Sequence, residues 1–124
     1  MPWIVRFEDV FEQEFLALPE AVQDALVAAA RLLEDYGPRL ARPHADTLKG
    51  SLYANMKELR IAAADGAWRV AFAFDPERQG ILLVAGDKSG VSARRFYQRL
   101  IDTADQRYTA HLRRMHAAQD EKGS

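Results

Sequence analysis

Four side chains in the middle of the chain have the types and spacing to handle phosphate chemistry: Arg60, Arg69, Lys88 and Tyr97. Arginine presents five N–H donors in a planar fork and lysine a compact point charge. Both suit phosphate oxygens and the extra negative charge of a phosphoryl transition state. An aromatic ring among such cations can stack on an unpaired base. Further basic residues flank the four, Lys49 and Lys57 within the earlier part and Arg94, Arg95 and Arg99 after Lys88. Three of the four also have an ordinary structural explanation. Arg60 stands two positions from Glu58 on one strand face, Lys88 lies in the turn composition Asp-Lys-Ser-Gly, and Tyr97 fits the edge of an amphipathic helix. Other catalytic templates fail: there is no Walker loop, no GxGxxG after a strand, no HExxH and no nucleophile elbow. The three histidines, His44, His111 and His116, are too scattered to share a metal, and the absence of cysteine excludes thiolate sites and disulfides. Neither a metal nor another cofactor is expected.

The elements that must position these residues lie between Lys57 and Lys88, a stretch that reads as a three-stranded antiparallel meander. Asp65-Gly66 between alternating hydrophobics is a strong hairpin signal, because a type I′ turn needs positive φ at both central residues. With those two as the loop, Leu59 pairs with Phe72, Ile61 with Val70 and Ala63 with Trp68 on one face. On the other, Arg60 opposes Ala71 and Arg69 opposes Ala62, so the two arginines are diagonal neighbours. If Phe74 then opposes Ile81, Lys88 falls on the face of Arg69, and Arg60, Arg69 and Lys88 form a row across three strands. A one-residue slip would bury both arginines.

Before the meander, residues 3–7 read as a first strand joining the same sheet. Helical spacing then runs from Asp9 to Leu18 and from Pro19 to Gly37-Pro38. Residues 38–56, broken by Pro43 and Gly50, read as a loop with a turn of helix. A long helix starts at Ser92, a suitable N-cap, with Phe96, Leu100, Ala104, Tyr108, Leu112 and Met115 on one stripe. The expected fold is α+β: an antiparallel sheet of about four strands, two N-terminal helices and one long C-terminal helix, packed on the face of Trp68, Val70 and Phe72. A length of 124 residues with 48% hydrophobic content fits one domain, read as residues 1–118 with a flexible tail over 119–124.

Net charge is −1 but unevenly spread. Residues 1–38 hold two basic and eight acidic side chains, and residues 39–99 hold eleven and six. The basic middle suits a polyanion, although a solvated surface gives the same count. The N-terminus lacks the apolar run of a signal peptide and no stretch is long and apolar enough to span a membrane, so a cytoplasmic location is expected.

Several segments, in order, carry a resemblance: LKGSLYANMKELRI, WRVAFAFDPERQGILLVAGDKSG and RRFYQRLIDTADQRY. Through Leu48-Lys49-Gly50, Glu58-Leu59-Arg60, Trp68-Arg69-Val70, Gly86-Asp87-Lys88 and Phe96-Tyr97, the chain resembles the phage-derived branch of the RelE/ParE-like toxins, close to the HigB toxins of type II toxin–antitoxin pairs. The resemblance covers roughly residues 3–115. It implies a RelE-like fold, metal-independent mRNA endoribonuclease activity at the ribosome that inhibits translation, and silencing by a cognate antitoxin, expected to be a helix-turn-helix protein in a toxin–antitoxin hetero-oligomer. It assigns Arg60, Arg69, Lys88 and Tyr97 to catalysis and Lys49, Lys57, Arg94, Arg95 and Arg99 to RNA contact. Two departures stand out. No histidine lies near Lys88, where some HigB-type toxins use one as acid or base, and the chain is near neutral where ribosome-dependent nucleases tend to be basic. The alternative is a toxin on the same scaffold that blocks DNA gyrase or another protein without cleaving RNA.

Overall fold

Changes of hydrophobic period divide the chain into strands and helices, and a computed structural model describes them over residues 2–123. The β-branched, aromatic run after Trp3 forms β1 (Ile4–Phe7). Glu8 then caps α1 (Asp9–Leu16) by accepting the Phe11 N–H at 2.9 Å. Pro19 precedes α2 (Glu20–Tyr36), which buries Val22, Leu26 and Leu33. A short 3₁₀ turn (Gly37–Arg39) leads to β2 (Ala45–Thr47), then β3 (Lys57–Ala63), β4 (Gly66–Phe74) and β5 (Gln79–Asp87). The Ser92 hydroxyl accepts the Arg95 N–H at 3.3 Å at the start of α3 (Ala93–Gly123). That helix continues through residues 119–123, where the sequence suggested a tail.

The sheet has five strands in the order β1-β5-β4-β3-β2, one more than expected. It is mixed, because β1 runs parallel to β5 while the remaining pairs are antiparallel. The added strand, β2, lies in the stretch read as a loop. Its three residues sit between Pro43 and Gly50, too short a run to show a period of two.

The β3–β4 register differs from the expected one by two residues. The turn residues with positive φ are Ala64 and Asp65, at 50° and 59°, and Gly66 opens β4 opposite Ala63. Gly66 serves close approach instead of the turn: a Cβ there would come within 2.9 Å of Asp87 Oδ2 and of Trp68 Nε1. A two-residue shift keeps every side chain on its expected face, since strand period is two. It does move Arg60 from a diagonal to a position directly opposite Arg69.

Helices cover both faces of the sheet, so the two-layer expectation gives way to three layers. α1 and α2 pack on Leu59, Ile61, Val70, Phe72 and Leu82. α3 packs on the opposite face, with Phe96, Leu100, Ala104 and Tyr108 against Ala71, Ala73, Ile81 and Leu83. The reason is written in β4 and β5. Val70-Ala-Phe-Ala-Phe74 and Ile81-Leu-Leu-Val84 are continuous apolar runs, as strands buried on both faces require, and the two alanines leave room for a helix to lie close.

Candidate functional site

Lack of a side chain at Gly86 sets up the site. A Cβ there would fall 2.9 Å from the Phe96 ring, so Phe96 can seat on the strand only because residue 86 is glycine. This fixes the first turns of α3 and brings the next residue, Tyr97, to Glu58 of β3 and Arg69 of β4. The Tyr97 hydroxyl donates to Glu58 Oε1 at 2.8 Å. Glu58 is 5% exposed, and Arg69 Nε approaches the same carboxylate oxygen at 3.6 Å. Arg60 faces Arg69 across the ladder. Lys88 Nζ lies 5.5 Å from the centre of the Tyr97 ring, a cation–π distance.

Folding alone would not favour this arrangement. Like charges directly opposite each other on adjacent strands cost stability. Nε of Arg60 and Nε of Arg69 are both buried without a hydrogen-bond partner among the described residues. Buried donors left without a hydrogen bond are costly, and the Glu58 carboxylate 3.6 Å from Arg69 Nε offsets only part of that cost. Burial raises the Tyr97 phenol above its ordinary pKa, and its hydrogen bond to Glu58 adds to the rise, with Arg69 pulling the other way. Tyr97 is therefore a hydroxyl donor at neutral pH. Glu58, Arg60, Lys88 and Tyr97 line a cavity of about 630 Å³ together with Arg42 and Lys49, while Arg69 lies next to it against Glu58.

Arg60, Lys88, Tyr97 and Lys49 are thus brought together on the cavity, and Arg69 adjoins them through Glu58 and Arg60 without lining it. Lys57 is not with them. It shares the face of Leu59, and its Nζ donates to the Pro38 carbonyl at 2.8 Å on the α2 side of the sheet. By helical spacing Arg94 falls within about 60° of Tyr97 around α3, whereas Arg95 and Arg99 lie about 160° away. Arg99 borders a separate groove of about 270 Å³ between β5 and α3.

Two residues of the site were not among the expected ones. Glu58 had been visible only as an ion-pair partner for Arg60; the structure gives its carboxylate to Tyr97 and Arg69 instead. Arg42 reaches the cavity because β2 brings its loop to the sheet edge, and there it pairs with Asp46 at 2.7 Å and holds that carboxyl below its usual range. No sequence signal marked Arg42 beyond its place in a basic loop. Among the described residues no group of three or more His, Asp or Glu side chains is placed to hold a metal ion.

Residues 13–109 match the family model described as Phage derived protein Gp49-like. The chain belongs to this family. Over 96 residues the Gp49-like chain is 46% identical to HigB3 of Mycobacterium tuberculosis strain H37Rv, which is named as a toxin, with 77% of this chain and 82% of that protein aligned. It is 41% identical to HigB2 of the same strain, also named as a toxin, over 77% of this chain and 47% of that longer protein. The expected kinship with HigB toxins therefore holds. The fold matches an arginine-substituted E. coli toxin RelE in the free state, with TM-score 0.59, 15% identity and coverage of 86% of this chain and 98% of that one. It also matches the archaeal RelE–RelB complex from Pyrococcus horikoshii OT3, with TM-score 0.53, 18% identity and coverage of 73% and 100%. Among the described residues no helix is long and apolar enough to cross a membrane.

Proposed function

We propose that this Gp49-like chain is the toxin of a type II toxin–antitoxin pair and works as a metal-independent, ribosome-dependent mRNA endoribonuclease that arrests translation in the cytoplasm. The observation that carries the reading is a cavity where Arg60 and Lys88 stand beside the Glu58 carboxylate and the protonated Tyr97 phenol, with Arg69 directly opposite Arg60 and against Glu58. Kinship with HigB toxins supports it. The RelE–RelB complex supports an antitoxin as partner.

The chemistry is in-line attack of a ribose 2′-OH on the adjacent phosphate. Glu58 takes the 2′ proton as the O–P bond forms. Arg60 and Arg69 hold the phosphate and the charge that develops on it, and Lys88 with Arg42 and Lys49 aligns the RNA backbone. The P–O5′ bond breaks, and the leaving oxygen takes the Tyr97 proton. The products are a 2′,3′-cyclic phosphate and a 5′-hydroxyl. The 2.8 Å hydrogen bond between Glu58 and Tyr97 then returns the proton to the phenol and resets both groups. Glu58 fills the role of general base that the missing histidine left open.

The test is induction in a bacterial host without antitoxin, followed by primer-extension mapping of transcripts. In-frame breaks in translated messages, reproduced by the purified chain on programmed ribosomes, are the expected result. Growth arrest with intact transcripts and inhibited gyrase supercoiling would replace this reading with the protein-blocking alternative.

A further inference from the structure

The ladder between β4 and β5 changes phase once. Phe74 pairs with Gly80, Ala73 with Ile81 and Phe72 with Leu82, but Ala71 pairs with Val84 and Arg69 with Gly86. Leu83 is the extra residue of a β-bulge. Because side chains alternate, one inserted residue turns over every later side chain of the strand. Had the first register continued, Arg69 would oppose Ala85, and Gly86 and Lys88 would face Trp68 and the α1/α2 core. With the bulge, Gly86 lies under Phe96 and Lys88 reaches the Tyr97 ring.

The bulge is gripped from outside. The Leu83 carbonyl accepts from Arg107 Nη1 of α3 at 2.9 Å, and the same guanidinium makes two 2.7 Å hydrogen bonds to the Glu14 carboxylate of α1. The Arg107 side chain is 15% exposed. A guanidinium fork pinned by a bidentate carboxylate has little freedom left, so its remaining donor is fixed in direction. We propose that Arg107, locked by Glu14, is a positioning residue for Lys88: it holds the β5 bulge that turns Lys88 onto the face of Tyr97. The proposal rests on the reading of Lys88 as an RNA-aligning cation, but its geometry can be tested separately.

The chain has four lysines, so NMR of lysine-labelled protein resolves Lys88 once Lys88→Ala assigns it. In the native chain the Lys88 ε-methylene signal should be shifted upfield by the Tyr97 ring. In Arg107→Met and Glu14→Gln that shift should be lost while the amide signals of β3 and α2 keep their dispersion, and Arg107→Lys, which retains a donor for Leu83, should recover it in part. RNA cleavage should fall in the same variants toward the level of Lys88→Ala. An unmoved Lys88 signal in folded Arg107→Met overturns the proposal; if that variant does not fold, Glu14→Gln, changed at a half-exposed position, decides in the same way. Full cleavage by Lys88→Ala would overturn the role given to Lys88 and leave the NMR result to judge the bulge.

Discussion

Glu58 is the side chain on which the site turns, because it touches both the phenol and one of the two arginines. Glu58→Gln keeps the shape and loses the proton acceptor; cleavage should drop by about 10²–10⁴ with the fold unchanged, read by single-turnover kinetics and circular dichroism. Arg69→Ala removes a cation needed only as charge develops on the phosphate, and should lower the rate by about 10²–10³ in a folded protein, with induced growth arrest lost accordingly. Tyr97 also leaves a mark on stability. Burial and then Glu58 raise its folded pKa above the unfolded value, so its contribution is fully present below the ordinary tyrosine range and is lost as pH rises through the raised value. Denaturation curves in alkali should show Tyr97→Phe losing part of the native chain's decline. The part due to Tyr108, whose pKa burial also raises, should remain.

At the scale of elements, the site depends on how α3 meets β5. Gly86→Ala would drive a methyl group to 2.9 Å from the Phe96 ring. Overpacking of this kind costs about 1–3 kcal/mol, seen as a lower midpoint in urea, and because it lifts the turn that carries Tyr97 it should reduce cleavage more than the stability loss explains. The same elements show what could be read in advance. Alternation along β3 already placed Arg60 with Glu58 and Lys57 with Leu59, so Lys57's place on the far face was legible. The exact hairpin register was not, because Gly66 is spent on the approach of Asp87 and Trp68, contacts that belong to β5 and to the folded sheet.

The whole molecule separates charge by layer. The acid-rich segment 1–38 forms β1, α1 and α2, and those two helices lie on one face of the sheet, while Arg60, Lys88, Lys49 and Arg42 line the cavity on the other. A near-neutral chain can thus present a basic face to a polyanion. Binding of a short RNA, followed by fluorescence anisotropy, should weaken as salt rises, with log affinity linear in log salt, as expected when lysines and arginines displace counterions from phosphates. A salt-independent affinity would remove the electrostatic account of the face. α3 is tied to the rest by Arg107 to Glu14 and by His111 to Asp75 at 2.8 Å, so its placement is shared between both sides of the sheet.

The sequence alone determined the helices and every strand but β2, the α+β class, the HigB kinship and the face on which Arg60 and Arg69 stand. The class and the face follow from local period and composition, which are written in neighbouring residues; the kinship followed from the resemblance of its ordered motifs to that family. Tertiary structure decided the rest: that the arginines meet head-on, that Glu58 belongs to Tyr97 and Arg69, that Arg42 reaches the cavity, and that α3 takes the opposite face from α1 and α2. Each depends on contacts between segments distant in sequence, where the space left by Gly66, Gly86 and the alanines of β4, and the single extra residue of the β5 bulge, choose among registers that local sequence leaves nearly equal.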